Sequence, residues 1–213
     1  MKIRSIALAA TLSLGALAAH ANPLVNGGFE DIGTASLRGW GGYTYGTGYS
    51  LPMPGWTVTG SVDITLTPST WGPADTGTYA LDLNGYDTGS IAQTFATTIG
   101  QKYDVSFAYS RNVAGAPNPA PAFVTAGGST LNISAANDGS FGSGGAMLWK
   151  PAGFSFMASA LQSTLTFTST VGGSGGVFLD SVSVTAVPEP ESYALMLAGL
   201  SVVAFVARRR KPR

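Results

Sequence analysis

The chain has 213 residues, with eleven basic and eleven acidic side chains, one histidine and no cysteine. That even balance adds up segregated parts: seven basic residues sit in the first four and last six positions, leaving Arg38, Lys102, Arg111 and Lys150 against nine acids between Asn22 and Val187, a net −5. An acidic segment of this kind offers no electrostatic footprint for nucleic acid, and with His20 the only histidine it holds no Ser-His-Asp triad, Cys-His pair or ordinary zinc site, so any chemistry falls to carboxylates, Tyr, Lys or Arg.

In chain order, Lys2 and Arg4 precede an apolar run from Ile6 to Ala18, and Ala19-His20-Ala21 follows the small-x-small rule. Residues 1–21 are therefore expected to be a signal peptide with a helical core, cut by signal peptidase after Ala21. Residues 22–187 suffice for one domain with a substantial core. An exported domain without disulfides relies on that core, on bound metal, or on both. Of the 29 glycines, 27 lie in this segment, Ser and Thr are plentiful, and no long helical periodicity is visible. The composition predicts short strands joined by turns, hence an all-β domain.

Alternation of period two is clearest at Tyr79, Leu81, Leu83, then Ile91, Gln93, Phe95, then Tyr103, Val105, Phe107, Tyr109. Turn signals at Asn84-Gly85, Thr88-Gly89 and Gly100 separate these runs, and spacing this short requires antiparallel neighbours. Further strands are predicted over 24–30, 56–64, 130–135, 154–157, 163–169 and 177–185, a spacing typical of sandwiches. Residues 33–49 and 114–122 read as long loops, the second extended by Pro117, Pro119 and Pro121.

Five segments carry a family resemblance: Asn26-Gly27-Gly28-Phe29-Glu30, Gly55-Trp56-Thr57-Val58 with Val62-Asp63, Ala80-Leu81-Asp82-Leu83-Asn84-Gly85, Ile91-Ala92-Gln93-Thr94-Phe95, and Leu179-Asp180-Ser181-Val182-Ser183-Val184. Together they resemble the choice-of-anchor C family of bacterial surface domains, which is similar to galactose-binding-like β-sandwiches, among them many carbohydrate-binding modules and plant cell-wall proteins. The resemblance implies an antiparallel β-sandwich, or jelly roll, and says little about function.

The chain end carries a second resemblance. Val187-Pro188-Glu189-Pro190-Glu191 leads into an apolar run over 193–207 that stops at Arg208-Arg209-Arg210-Lys211. Those fifteen apolar residues make a helix of roughly 22 Å, a marginal transmembrane anchor for a ~30 Å hydrocarbon core. The basic cluster keeps its end in the cytoplasm. Segment 188–213 resembles the PEP-CTERM sorting signal of Gram-negative bacteria. The resemblance implies an inner-membrane intermediate anchored through 193–207, cutting by an exosortase near Pro188, Glu189 and Pro190, and delivery to the cell surface or extracellular matrix.

Three constellations bear on chemistry. Phe178, Val182 and Val184 share the parity of Asp180 in the last strand, which predicts that its carboxylate points to their apolar side, where a lone charge is costly. Glu30 ends the first predicted strand, and the resemblance implies that the first and last strands run side by side. A structural calcium ion held by Glu30, Asp180 and backbone carbonyls would satisfy both acids. The alternative has Asp180 accepting backbone N–H bonds and Glu30 in solvent. The second constellation is the aromatic stretch with Trp40, Tyr43, Tyr45 and Tyr49, joined by Trp71: exposed rings would stack on sugars, while rings folded back would cover the sandwich edge. The third, Asp82 and Asp87 about Asn84-Gly85, reads as turn-forming acids rather than a glycosidase pair. Trp56 and Trp149 read as core.

The expectation is an exported, non-enzymatic β-sandwich that binds or organises extracellular polysaccharide, with a purely structural surface protein as the alternative and a carboxylate-based hydrolase behind both.

Overall fold

The computed structural model describes residues 22–39, 41–49, 51–66, 71–115, 117–136, 147–188 and 190–209. Signal segment 1–21, Trp40 and Glu189 lie outside the described residues. Ala21–Val187 forms one compact unit, and the C-terminal segment is treated by itself.

Ten strands build the unit: β1 (Gly42–Gly46), β2 (Thr57–Leu66), β3 (Tyr79–Asp82), β4 (Gly89–Ala96), β5 (Lys102–Arg111), β6 (Ala120–Ala126), β7 (Ser129–Ala135), β8 (Lys150–Met157), β9 (Gln162–Ser169) and β10 (Val177–Ala186). All pairings are antiparallel. One sheet, called A, runs β1-β2-β3-β10-β5-β8; the other, B, runs β2-β4-β9-β6-β7. Strand β2 belongs to both: Thr57–Gly60 pair with β4, and the stretch from Ser61 on pairs with β1 and β3. The change of partner occurs at Gly60, whose φ of +74° and whose Cβ position 2.2 Å from the Thr88 carbonyl oxygen admit only glycine.

Alternation explains the packing. Val62, Ile64, Leu81, Val105, Phe107 and Leu179 of sheet A meet Ile91, Phe95, Val124, Leu165 and Phe167 of sheet B in one core. Phe29, Trp56 and Phe167 close one side through ring contacts of 5.8 and 6.4 Å. On the outer face of sheet B, hydroxyls bond one another across strands, Thr94 to Thr164 at 2.7 Å and Ser90 to Thr168 at 3.1 Å. The outer face of sheet A carries a small apolar cluster of Ala80, Met147 and Phe178 under Trp71, Ala74 and Trp149.

Three expectations are corrected. Residues 24–30 form turns, not a strand. Asn26 and Phe29 adopt positive φ of 55° and 58°, and the Asn26 side chain ties the turn to Asp31 and Pro54. The segment nevertheless lies along β10, with Asn22 bonded to Val182 and Val184 and Val182 N donating to Gly27 O. Predicted loop 33–49 contains β1. Loop 114–122 gives way to β6 at Ala120: Pro121 is tolerated there because the ladder to β9 begins only at Ala122.

The C-terminal segment forms α1 (Pro190–Arg209), with Arg208 and Arg209 in its last turn. The predicted transmembrane segment 193–207 is thus helical. Among the described residues, however, no helix is long and apolar enough to cross a membrane. The shortfall follows from the short apolar run, ~22 Å against a hydrocarbon core of ~30 Å.

Candidate functional site

Two acid-centred sites emerge, both on strands of sheet A. The first joins the two predicted calcium ligands. Asp180 is fully buried, yet not beside Val182 and Val184 as its parity predicted. β10 pairs Asp180 with Ala108 and Ser183 with Ser106, so one extra residue enters the strand. At this β-bulge Ser181 takes a φ of 53°, and the alternation reverses. Leu179, Val182 and Val184 therefore face the core, whereas Asp180 lies with Phe178 on the outer side.

There the Asp180 carboxylate accepts Thr76 N at 2.9 Å and Ser181 N at 2.6 Å. Burial pushes its pKa up to about 6, although these N–H bonds act the other way. Glu30 is exposed and accepts Thr78 N and Tyr79 N on a single oxygen, at 2.8 and 3.0 Å. Gly77 gives it room, since a Cβ there would lie 2.3 Å from that oxygen. Both acids therefore clamp the turn over residues 75–79, and a Cβ on Gly28 would stand 3.9 Å from each. Ser181 adds a bond to Asp75 at 2.7 Å. In kind the oxygens suit a hard cation, and the hydrogen-bond donors to the buried Asp180 carboxylate are neutral backbone N–H groups. Among the described residues no group of three or more acidic, His or Cys side chains is arranged to hold a metal ion.

The second site was not foreseen. A depression of about 270 Å³ opens on the outer face of sheet A, lined among others by Asp63, Trp71, Asp82, Asn84, Tyr86 and Asn112. Asp63 on β2 and Asp82 on β3 are direct register partners. Asp82, read from the sequence as a solvated turn former, is buried because β3 carries it opposite Leu81 and Leu83. Its carboxylate accepts Asn84 N at 2.9 Å, Gly176 N at 3.1 Å and the Asn112 amide. Burial pushes it up to about 7 against these bonds, with Asp63 adding to the rise. Asp63 is raised to about 6, again by burial, while the nearby Thr44 hydroxyl and Arg38 guanidinium act the other way.

Asn112 couples the acids to an aromatic wall. Its Oδ1 accepts Trp71 Nε1 at 3.2 Å and Ala114 N at 2.8 Å, while its Nδ2 serves Asp82. Asn84 spends its amide on Val171 O and Gly173 O, at 2.7 and 2.9 Å. Among the described residues three buried side-chain oxygens have no hydrogen-bond partner: Asp63 Oδ1, Asn84 Oδ1 and the hydroxyl of Thr44, the register partner of Asp63. Tyr86 stands 59% exposed at the rim, its ring nearly parallel to Tyr49 at 6.1 Å between centroids, and the Arg38 guanidinium lies 4.7 Å from the Tyr49 centroid. Acceptors below and aromatic faces beside them suit a ligand rich in hydroxyl donors and C–H surface.

The predicted aromatic ligand residues are thus divided. Tyr43 and Tyr45 are buried, because β1 pairs them with Ile64 and Val62 and turns both rings inward. Tyr45 donates its hydroxyl to Ile32 O at 2.8 Å, and burial raises its phenol. Both are corrected to core. Tyr49 and Trp71 do lie at depressions, while Trp40 falls outside the described residues. Trp56 is core and Trp149 lies half-buried on the outer cluster, donating Nε1 to Pro73 O at 2.9 Å. Asp87 is an exposed turn acid that accepts Thr88 N and Gly173 N. Sequence reasoning missed Asp63, Asp82, Asn84, Asn112 and Tyr86; an Asp at the parity opposite Leu81 and Leu83 was the signal available.

Fold and tail define the class: an exported domain built like a carbohydrate-binding-module β-sandwich and carrying a sorting signal. The module TmCBM61, solved in complex with β-1,4-galactotriose, superposes with a TM-score of 0.53 at 18% identity, over 78% of this chain and 99% of that one. A family 16 carbohydrate-binding module gives 0.48 at 15% identity, over 77% and 99%. The chain belongs to the DUF642 family, described as proteins of unknown function, whose pattern matches residues 22–185. The PEP-CTERM protein-sorting motif matches residues 186–211 and marks the protein as exported. No curated protein matches the chain.

Proposed function

We propose that this domain is a non-catalytic carbohydrate-binding module, displayed at the cell surface or in the extracellular matrix, that takes a neutral polysaccharide into the depression between Asp63 and Asn112. The observation behind this reading is the combination in one depression of two carboxylates, two Asn side chains and the rings of Trp71 and Tyr86. Sugar hydroxyls donate to the acceptors, and the C–H face of a pyranose packs on an aromatic ring. Asp82, with both carboxylate oxygens engaged, positions Asn84 and Asn112, and half-buried Asp63 is the acid left to the ligand.

The burial of Tyr43 and Tyr45 favours the second reading, a structural surface protein without a specific ligand. Retention of the full chain on the producing cell's own exopolysaccharide and on neutral polysaccharides separates the two. Binding that disappears in Tyr86→Ala, at a melting temperature close to wild type, supports the module. Absence of binding to every polymer leaves the structural reading.

Two further parts of the proposal concern assembly. A structural calcium ion would be held by Glu30, Asp180 and carbonyls of the 75–79 turn, fixing that turn against β10. Signal peptidase would cut after Ala21 and an exosortase near Pro188, Glu189 and Pro190. The intact mass of surface-extracted protein should then lack both ends, and a stable species that retains Arg208–Arg209 would contradict the cut.

A further inference from the structure

A larger depression, of about 380 Å³, lies outside the site described so far. It opens between the 46–53 segment and the first half of β2, with Tyr49, Trp56 and Val58 in its lining. Strand β2 therefore borders both depressions, this one at Val58 and the smaller one at Asp63. At ~3.3 Å per residue these positions are on the order of 15 Å apart, more than one sugar ring covers.

An aromatic pair links the two linings. Tyr49 belongs to the larger depression and Tyr86 to the smaller, and their rings lie 8° from parallel. Around them the backbone stays bare of side chains by necessity. A Cβ on Gly46 would lie 2.1 Å from Gly60 O, and one on Gly85 would lie 2.4 Å from Ser61 Oγ. Arg38 packs on Tyr49, so the ridge pairs ring faces with guanidinium donors, whereas the smaller depression supplies acceptors. Among the described residues the charged groups of the two linings are Asp63 and Asp82, with Arg38 beside them on Tyr49, a balance that disfavours uronate polymers.

Resting on the reading of the smaller depression as a glycan site, we propose that both depressions are consecutive subsites of one groove crossing the Tyr49–Tyr86 pair. Its ligand is an internal stretch of an extended neutral polysaccharide, not a chain terminus.

The test is calorimetric titration of the full chain with neutral cello-oligosaccharides and β-1,4-galacto-oligosaccharides, from disaccharide to hexasaccharide, in wild type, Tyr49→Ala and Tyr49→Phe. Affinity should climb by about tenfold or more with length, the climb should vanish in Tyr49→Ala, and Tyr49→Phe should restore it. Equal affinity for disaccharide and hexasaccharide, or a length dependence that survives Tyr49→Ala, overturns the two-subsite groove while leaving the smaller site standing. If wild type binds no oligosaccharide of either series, the glycan reading and the groove fall together.

Discussion

Asp180, buried, and Asp63, half-buried, are both acids of sheet A, and their surroundings treat them differently. Asp180 receives one N–H donor on each oxygen, Thr76 from the turn it holds and Ser181 from its own strand. Asp63 keeps Oδ1 buried at the edge of a depression with no hydrogen-bonded partner among the described residues, the Thr44 hydroxyl being the donor placed near it. An acid answered by nearby backbone is part of the scaffold, whereas a buried acceptor left unanswered costs stability that the fold alone does not recover. The contrast supports a structural role for the first acid and fits the proposed use of the second in ligand recognition.

The strongest way to break this contrast is to delete each acid. Asp180→Ala leaves Thr76 N and Ser181 N without their acceptor, an expected loss of about 3 kcal/mol in denaturant unfolding. Asp63→Asn removes a desolvated charge and should leave stability unchanged or raise it by about 1 kcal/mol, while polysaccharide retention falls. Equal losses in the two variants would erase the distinction.

Calcium sharpens it next. If the ion binds at Glu30 and Asp180, the melting temperature of wild type rises with calcium over chelator, because the native state alone binds it. Asp63→Asn should respond like wild type and Asp180→Ala should not respond. An unchanged midpoint in wild type removes the ion.

A pH series gives a smaller effect. Asp63 and Asp82 have native pKa values raised to about 6 and about 7, above an unfolded value near 4. The native state therefore holds protons that the unfolded chain has released. Their contribution to stability is complete below about pH 4 and is lost as pH rises through about 6 to 7. Melting temperatures in chelator should fall between pH 5 and 8, and Asp63→Asn should flatten the lower part of that fall. A slope identical to wild type would relocate the titrating group. Smallest of all is Tyr86→Ala, where an exposed ring is lost: a change of roughly 0.5 kcal/mol, set against loss of binding.

Much of the sandwich was legible because buried strands write their alternation directly, as in Ile91, Gln93, Phe95 or Tyr103, Val105, Phe107. Strand β1 was not, since a five-residue segment bounded by glycines and rich in tyrosine has the composition of a binding loop as much as of an edge strand. Parity misled at Asp180 because one extra residue at Ser181 reverses every later side chain, and no local composition announces a bulge. The site resisted for a different reason. Asp63 and Asp82 lie on β2 and β3 and Asn112 just beyond the end of β5, and the register of β2 on β3, together with the loop carrying Trp71, brings them together. Tyr49 and Trp71, singled out as aromatics among small residues, line the two depressions.

The place of β10 also has a mechanical consequence. The sorting helix follows it in sequence, so any pull on the tail enters the domain at Ala186. β10 is an inner strand, laddered to β5 on one side and β3 on the other, and Asn22 pins the start of the domain to its Val182 and Val184. Tension along it would load many ladder bonds together in shear instead of opening them singly, as happens when an edge strand is peeled. On the proposed reading, drag on a bound polymer before the tail is cut would reach the anchor through an inner strand of the sheet.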